Sequence, residues 1–169
     1  MSGAVDVIEG RVHRVGDNVD TDAILPGRYL SLRDPQALGA HCLESHDPEL
    51  RARVRPGDIL VAGWNLGNGS SREHAVIALK AIGIRGIVAA SAARIFFRNA
   101  INLGLPVMVC PAAALALQAG QTARLRVSAN RIEQDGASWE PEILDGEVAA
   151  ILASGGLIER TRALLAQMS

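Results

Sequence analysis

Between residues 59 and 109, short apolar runs alternate with segments long enough to form two or three turns of helix. The apolar runs lie at 59–62, 87–90 and 106–109, and the predicted helices lie between them at 72–82 and 92–102. Short strands without polar alternation are typical of a sheet that is covered on both faces. Helices of this length between such strands favour parallel pairing through right-handed crossovers. This stretch therefore predicts an α/β fold with a mainly parallel central sheet.

The segments on either side predict further strands and helices. Residues 5–15 alternate loosely between apolar and polar side chains and predict a strand. Three short segments, at 123–127, 131–134 and 137–139, predict antiparallel strands with turns at Asn130 and at Asp135-Gly136. Shorter helices are predicted at 35–44, 48–53, 111–118, 147–153 and 158–167, and an irregular loop at 26–34.

The last predicted helix carries an apolar face that consists of Leu157, Thr161, Leu164 and Leu165. Such a face usually packs on the core, and we expect it to do so here. Aromatic residues make up only 3% of the chain, so the core must consist mainly of Ala, Val, Ile and Leu. We expect residues 1–169 to form a single domain, because their number suits one core.

A glycine-rich segment follows the first apolar run and leads into the first long helix: Gly67-Asn68-Gly69-Ser70-Ser71-Arg72-Glu73-His74. Glycines let the backbone approach a ligand closely, and the free N–H groups of a first helical turn attract anions. The planar guanidinium of Arg72 matches a carboxylate in two hydrogen bonds. The segment therefore predicts a site for an anion, and a carboxylate explains its residues best.

Other interpretations of this segment differ in how well they fit. Ser70 and Glu73 have the spacing of a capping box, so a purely structural helix start remains open. A P-loop would need a lysine followed by Ser or Thr, and a nucleophile elbow would need a glycine soon after the serine; the segment has neither. A dinucleotide site would place Gly or Ala at Arg72, although Ser91 and Arg94 leave a weak NADP interpretation open.

Three aspartates at Asp17, Asp20 and Asp22 invite a calcium interpretation. An EF-hand loop would need glycine at its sixth position and glutamate at its twelfth, where Asp22 and Arg28 stand. A loop stabilised by Asx turns explains this acidic segment better.

Charge and cysteine content exclude several classes of function. The net charge of −1 argues against a nucleic-acid-binding protein. Cys42 and Cys110 lie far apart, and two thiols are too few for an iron–sulfur cluster. No signal peptide and no apolar stretch of about 20 residues is evident, so we expect a cytoplasmic protein without a membrane partner.

Three segments resemble the small, swivelling domain of the aconitase superfamily. They are residues 69–75, residues 93–106 and residues 17–30, and they occur in the order and spacing of that family. The resemblance covers nearly the whole chain, and the size is similar to that of the separate small subunits of 3-isopropylmalate dehydratases. It implies the swivelling β/β/α fold, with short antiparallel strands beside a mainly parallel sheet.

The resemblance also implies an activity and residue roles. Members of the family remove water from hydroxy acids and add it back at the neighbouring carbon. Ser70 matches the serine that acts as the base, and Asp22 matches an active-site aspartate. Ser71 and Arg72 match residues that bind a substrate carboxylate, and Glu73 and His74 match residues that support the site.

The resemblance further implies a [4Fe-4S] cluster that acts as the Lewis acid. Because this chain has two cysteines, we expect it to bind no cofactor and the cluster to lie on a separate large subunit. The active site would then form where the two subunits meet.

The substrate is less clearly implied. In the segment 26–33, Tyr29, Leu30 and Arg33 resemble residues that contact the variable substituent of the substrate. An apolar pocket suits isopropylmalate, whereas an inward-pointing Arg33 suits a third carboxylate, as in citrate or homocitrate. That Arg33 simply points to solvent also remains open. Asn68 stands where bacterial small subunits usually carry cysteine, which weakens the substrate assignment. Homoaconitate, dimethylmalate, a citrate-like substrate and a non-catalytic carboxylate-binding module therefore remain open.

Overall fold

One continuous sheet of seven strands forms the centre of the computed structural model, which describes residues 6–169. Its strands are β1 (Val7–Arg14), β2 (Ile59–Ala62), β3 (Gly86–Ala89), β4 (Val107–Val109), β5 (Thr122–Arg126), β6 (Arg131–Gln134) and β7 (Ala137–Trp139). Their spatial order is β4-β3-β2-β1-β5-β6-β7.

Strand β1 belongs to both halves of the sheet. Its last residues pair in parallel with β2, starting with Val12 opposite Ile59, and β3 and β4 continue this parallel half. Its first residues pair antiparallel with β5, starting with Val7 opposite Arg126, and β6 and β7 follow in the same sense. The predicted combination of a parallel central sheet with short antiparallel strands is therefore confirmed, although the parallel and antiparallel halves contribute three strand pairings each.

Eight α-helices and one 3₁₀ helix flank the sheet within residues 6–169. They are α1 (Thr21–Ile24), the 3₁₀ helix (Gly27–Tyr29), α2 (Pro35–Gly39), α3 (Pro48–Arg53), α4 (Glu73–Ile82), α5 (Arg94–Asn102), α6 (Pro111–Ala116), α7 (Gly146–Ser154) and α8 (Leu157–Gln167). The short helix α1 was not predicted, and the 26–34 segment contains a 3₁₀ turn. Asp20 explains α1, since its side chain caps the helix by accepting from the N–H of Ala23.

The two faces of the sheet carry separate cores. All four residues of β2 are buried, with Leu60 and Ala62 on the face covered by α4 and α5, and Ile59 and Val61 on the face covered by α6. A strand that is buried on both sides has no polar face, which is why its sequence is continuously apolar.

The predicted packing of the last helix on the core is wrong. Leu157, Leu164 and Leu165 of α8 are exposed, and α7 fills the space instead, with Ile151 and Leu152 packed against Ile101 of α5. The chain reverses at Gly155 and Gly156, which have φ values of 93° and 141°. This left-handed backbone reverses the chain between α7 and α8, and within α8 only Glu159 and Arg160 are half-buried, whereas the other residues are exposed.

Candidate active site

The loops that follow β1, β2 and β3 meet at the carboxyl-terminal edge of the parallel strands. The N–H of Asn18 donates to the carbonyl of Trp64 at 2.7 Å, and the N–H of Gly67 donates to Val19 at 2.8 Å. On the other side, the N–H of Ala93 donates to Leu66 at 2.8 Å. Segments 17–30 and 93–106 are therefore both hydrogen-bonded to the loop that leads into segment 69–75, at the edge where open α/β sheets bind ligands.

Side chains reinforce these loops. Asp17 accepts from the N–H of Trp64 at 2.9 Å, and the side-chain amide of Asn65 donates to that of Asn18 at 2.9 Å. Asp20 caps α1 and Asp17 binds a backbone N–H in the distant loop after β2, so neither of these bonds is the local Asx turn that was predicted. Among residues 6–169, no three His, Cys, Asp or Glu side chains come together as metal ligands, so the calcium interpretation gains no support.

Gly67 and Gly69 allow the loop after β2 to fold over the edge of the sheet. Their φ values are 77° and 107°, a region that side chains with a Cβ rarely adopt. A Cβ on Gly67 would also lie 2.1 Å from Cγ of the buried Phe96 on α5. Gly67 is therefore needed both for its backbone conformation and for the close approach of Phe96.

We expect Gly67→Ala to lower the free energy of unfolding by about 2 kcal/mol, because it combines a strained φ with overpacking against Phe96. Urea denaturation followed by circular dichroism measures this change. The matched control is Gly16→Ala, where a Cβ would meet nothing within 4 Å. Equal stability of the two variants would show that the loop does not depend on Gly67.

Ser70 and Ser71 are exposed in the loop just before α4. The helix begins at Glu73, its N-cap is Arg72, and no side chain caps it, so the capping-box interpretation is wrong. The left-handed Gly69 turns the chain, and Ser70 lies two residues before the N-cap. Within residues 6–169 neither serine hydroxyl makes a hydrogen bond, which leaves both free for a ligand near the positive end of α4.

Arg72 and Asp22 form an ion pair beside these serines. Nη1 of Arg72 lies 3.0 Å from Oδ1 of Asp22, and the same oxygen accepts from the N–H of Gly27 at 2.9 Å. The hydrogen bond from Arg72, followed by that from Gly27, lowers the pKa of Asp22. The carboxylate thereby orients the guanidinium, whose other N–H groups remain available for an anionic ligand.

Glu73 and His74 occupy the first turn of α4. Glu73 is exposed and His74 is half-buried, and neither side chain makes a hydrogen bond within the described part of the chain. The carboxylate of Glu73 lies where the helix dipole favours negative charge. No contact yet assigns either residue a supporting role.

Tyr29, which lies within the predicted substrate segment 26–33, belongs to a polar cluster. Its hydroxyl donates to Glu44 at 2.6 Å, and its ring stacks on His41 with centroids 3.7 Å apart. Arg28 also binds Glu44, at 2.5 Å, and the bonds from Tyr29 and His41 lower the pKa of Glu44. This cluster was not predicted, because its members come from separate segments and form no motif.

Leu30 and Arg33 follow Tyr29 along the same segment. Leu30 is half-buried and Arg33 is exposed, without a hydrogen bond to any residue of 6–169. The structure therefore brings Ser70, Ser71 and Arg72 close to Asp22, and places Arg33 in contact with none of them through a hydrogen bond.

The two cysteines do not fit an iron–sulfur cluster. Both are free and buried, Cys42 in the core on the α4 face and Cys110 in the core on the α6 face. Burial raises the pKa of the Cys42 thiol to about 12, which opposes the thiolate form that iron requires. Among residues 6–169, no helix has the length and apolar character needed to cross a membrane.

Comparison with known proteins gives consistent matches. Residues 11–112 match the aconitase C-terminal domain family. The 3-isopropylmalate dehydratase small subunit 1 of Methanopyrus kandleri is 51% identical over 91% of this chain and 92% of its own length. The 2,3-dimethylmalate dehydratase small subunit of Eubacterium barkeri is 44% identical over 89% and 93%. A crystal structure of 3-isopropylmalate dehydratase (leuD) from Methanocaldococcus jannaschii superimposes with a TM-score of 0.88 at 40% identity, covering 96% of this chain and 98% of that one.

Proposed function

This chain belongs to the aconitase C-terminal domain family and, within it, to the 3-isopropylmalate dehydratase small subunits, and from that premise we propose how it takes part in catalysis. It supplies the base and the carboxylate-binding residues of a two-subunit hydro-lyase that interconverts 2-isopropylmalate and 3-isopropylmalate. The observation that carries this proposal is the Asp22–Arg72 ion pair beside two serine hydroxyls that bind nothing else in the described chain.

The reaction begins with loss of a weakly acidic proton from the carbon beside a carboxylate. We assign the proton acceptor to Oγ of Ser70 in its alkoxide form, so the O–H bond forms as the C–H bond breaks. The electron pair of that bond moves toward the neighbouring carboxylate, whose negative charge grows. We assign the binding of this carboxylate to Ser71 and to the N–H groups of Arg72 that do not bind Asp22, which would stabilise the added charge.

A serine hydroxyl is far too weak an acid to ionise without help. The N-terminus of α4 and the guanidinium of Arg72 supply positive potential on either side of Ser70. Asp22 holds that guanidinium in place as a carboxylate, and the lowered pKa of Asp22 reflects the hydrogen bond from Arg72. In this arrangement Asp22 positions Arg72, and Arg72 acts on the substrate.

Departure of the hydroxyl needs a Lewis acid, and the described residues of this chain do not form a site for one. We therefore assign this role to a large subunit that holds the family's [4Fe-4S] cluster. The catalytic site is complete only where the two subunits meet, and this chain alone is expected to be inactive.

The carboxyl-terminal edge of the sheet has an apolar surface that suits this partner. Trp64, in the loop that leads to Ser70, is 51% exposed, and Leu115 on α6 is 85% exposed. Ile95, at the start of α5, is exposed on the same edge. Exposed aromatic and aliphatic side chains around a site are typical of the anchors of a protein interface. We name this surface, formed by Trp64, Ile95 and Leu115, the carboxyl-edge surface, and assign it to the large subunit.

A second substrate, 2,3-dimethylmalate, is supported by the relative from Eubacterium barkeri, whose identity of 44% equals that of some isopropylmalate relatives. The mechanism would be unchanged, since both substrates carry a hydroxyl beside an apolar substituent and two carboxylates. Two other interpretations gain no support. Ser91 accepts a hydrogen bond from the N–H of Asn65, so its side chain has a role within the loop itself, and no observation points to an NADP phosphate there. A non-catalytic module would have no need to keep Ser70, Ser71, Arg72 and Asp22 together.

The function is tested by producing the chain with the large subunit of the same organism and reconstituting the cluster without air. We expect dehydration of 2-isopropylmalate by the complex and by neither subunit alone, because each lacks half of the site. The substrates to compare are 2-isopropylmalate, 2,3-dimethylmalate, homocitrate and citrate. Each reaction is monitored by the absorbance of its unsaturated product. Turnover by this chain alone would refute the division of the site between subunits. Preference for another of these substrates would replace isopropylmalate in the substrate assignment.

A further inference from the structure

Leu43 has a backbone conformation that leucine rarely adopts. Its φ is 60°, in the left-handed region, and its side chain is fully buried in the core on the α4 face. The other non-glycine residues of 6–169 with a positive φ are three Asn and one Asp, whose short polar side chains tolerate this region. Such a conformation persists only where the surroundings hold it, and it is found most often at functional sites. The N–H of Leu43 donates to the carbonyl of Ile24 at 2.7 Å, so the turn at Leu43 brings Glu44 beside the segment that follows Ile24.

The carboxylate of Glu44 binds three side chains from two segments. Its Oε1 accepts from the hydroxyl of Tyr29 at 2.6 Å and from Nη2 of Arg28 at 2.5 Å. Its Oε2 lies 2.8 Å from Nδ1 of His41. The guanidinium carbon of Arg28 also lies 4.7 Å from the ring centroid of Tyr29, whose ring stacks on His41. Glu44 therefore ties the 28–29 pair to the segment that carries His41.

The anchored residues reach the candidate active site through Gly27. Arg28 and Tyr29 belong to the 3₁₀ helix, of which Gly27 is the first residue. The N–H of Gly27 donates to Oδ1 of Asp22 at 2.9 Å. A Cβ on Gly27 would lie 3.2 Å from Nη1 of Arg72, so the guanidinium packs directly on the backbone there. A displacement of the 3₁₀ helix would therefore move the groups that hold Asp22 and Arg72 together.

We propose that Glu44 is a positioning residue for the carboxylate-binding pair of Asp22 and Arg72. It fixes the 3₁₀ helix of the substrate segment 26–33, and that helix keeps Gly27 against both members of the pair. The inference rests on the proposed function, in which Arg72 binds the substrate carboxylate. Glu44 acts only through these residues, because its own two oxygens are occupied by side chains of the protein.

A different role for Tyr29 follows from the same bonds. A phenol has one proton to donate, and Tyr29 donates it to Glu44. Its ring is stacked on His41 with an angle of 7° between the two planes. Tyr29 therefore holds the substrate segment in place and donates no hydrogen bond to the substrate.

The first test is an NMR titration of the full chain that carries Glu44→Gln. This change keeps the shape of the side chain and removes the charge that holds Arg28. The bonds from Arg72 and Gly27 lower the pKa of Asp22, so a loosened 3₁₀ helix should raise that pKa toward the usual aspartate value. Loss of a nearby negative charge alone would lower this pKa, so a rise reports the weakened hydrogen bonds.

The matched control is Glu49→Gln on α3. Glu49 is exposed, and its ion pair with Arg53 of the same helix is long, at 4.0 Å. This control should leave the pKa of Asp22 as it is in wild type. An unchanged pKa in Glu44→Gln, or an equal rise in both variants, would overturn the positioning role.

The second test is steady-state kinetics of the reconstituted complex with 2-isopropylmalate. Glu44→Gln should raise KM about tenfold and lower kcat about threefold or less. Arg72 keeps its charge and bound substrate restores its position, so the cost falls on binding, while Ser70 is untouched. Glu49→Gln should leave both constants unchanged. An unchanged KM in Glu44→Gln would overturn the inference. A wild-type complex without turnover would instead refute the proposed function, and the titration of Asp22 would still decide the role of Glu44.

Tyr29→Phe is a milder second variant, since it keeps the ring that stacks on His41 and removes only the hydroxyl. Tyr29 is the single tyrosine of the chain, so the NMR signal of its Cζ identifies itself. In wild-type background this signal should move with Glu44→Gln and stay in place with Glu49→Gln. Because Tyr29→Phe and Glu44→Gln break the same bond, the double variant should have nearly the KM of Glu44→Gln. A full further rise in KM would place the hydroxyl on the substrate and overturn the role given to Tyr29.

Discussion

Ser70→Ala should lower turnover of the reconstituted two-subunit enzyme by about a thousandfold or more, because it removes the proposed proton acceptor. The effect should fall on kcat, since Ser71 and Arg72 still bind the substrate carboxylate. Stability should change little, because the Ser70 hydroxyl is exposed and makes no hydrogen bond within residues 6–169. Steady-state kinetics with 2-isopropylmalate, together with a thermal melt of the variant, separates these effects.

A matched control for this variant is Ser45→Ala, which changes another exposed serine, one that lies outside the site loops. It should leave kcat and KM unchanged. Titration with the large subunit should give the same stoichiometry for wild type and both variants, which rules out failed assembly as the cause. Near-normal turnover in Ser70→Ala would move the base to another residue, and Ser71 would be the next to test.

The parallel part of the sheet could be predicted from the sequence because a strand that is buried on both faces consists of a continuous run of apolar residues. The four residues of β2 are all apolar and all buried, so no other placement satisfies them. The pairing of β1 with β5 is not visible in this way, since it depends on which distant strand completes the edge. Local sequence patterns determine where helices and strands form, whereas tertiary contacts determine which strands pair with each other.

The apolar residues of α8 show what a periodic sequence pattern leaves undetermined. The spacing of Leu157, Leu164 and Leu165 correctly indicates an amphipathic helix, but it does not specify the molecule that covers the apolar face. The direction of the helix depends on the left-handed turn at Gly155 and Gly156. Since both orientations share one sequence pattern, only the fold distinguishes core packing from an exposed stripe.

The residues of the candidate site could be predicted from the sequence, but the hydrogen bonds between them could not. Asp22 and Arg72 are fifty residues apart, and only the fold brings them to 3.0 Å. Ser70 and Glu73 have the spacing of a capping box, yet the left-handed Gly69 moves Ser70 out of the helix. A spacing rule assumes regular backbone, and the left-handed conformation that Gly69 adopts breaks that assumption at the point where the ligand would bind.

Arg72→Gln is the second variant for which we expect a large effect. It keeps a polar side chain, although a shorter one, and removes the charge that would stabilise the growing carboxylate charge and the Ser70 alkoxide. Turnover of the reconstituted complex should fall by about a hundredfold or more, and KM should rise because substrate binding is lost as well. The control is Arg85→Gln, which removes an exposed arginine directly before the first residue of β3. This variant should behave as wild type.

The same variant tests the link between Arg72 and Asp22. The hydrogen bond from Arg72 lowers the pKa of Asp22, so its removal should raise that pKa toward the usual value, as measured by NMR titration of the carboxyl carbon. Because the folded-state pKa is depressed, the ion pair stabilises the protein above the usual aspartate pKa and is lost as the pH falls through the lowered one. At neutral pH Asp22 is ionised in both proteins, so a change in its charge does not explain the loss of activity. If Asp22 acts only by orienting Arg72, then Asp22→Asn should add little to the defect of Arg72→Gln, whereas additive losses would give Asp22 a separate role on the substrate.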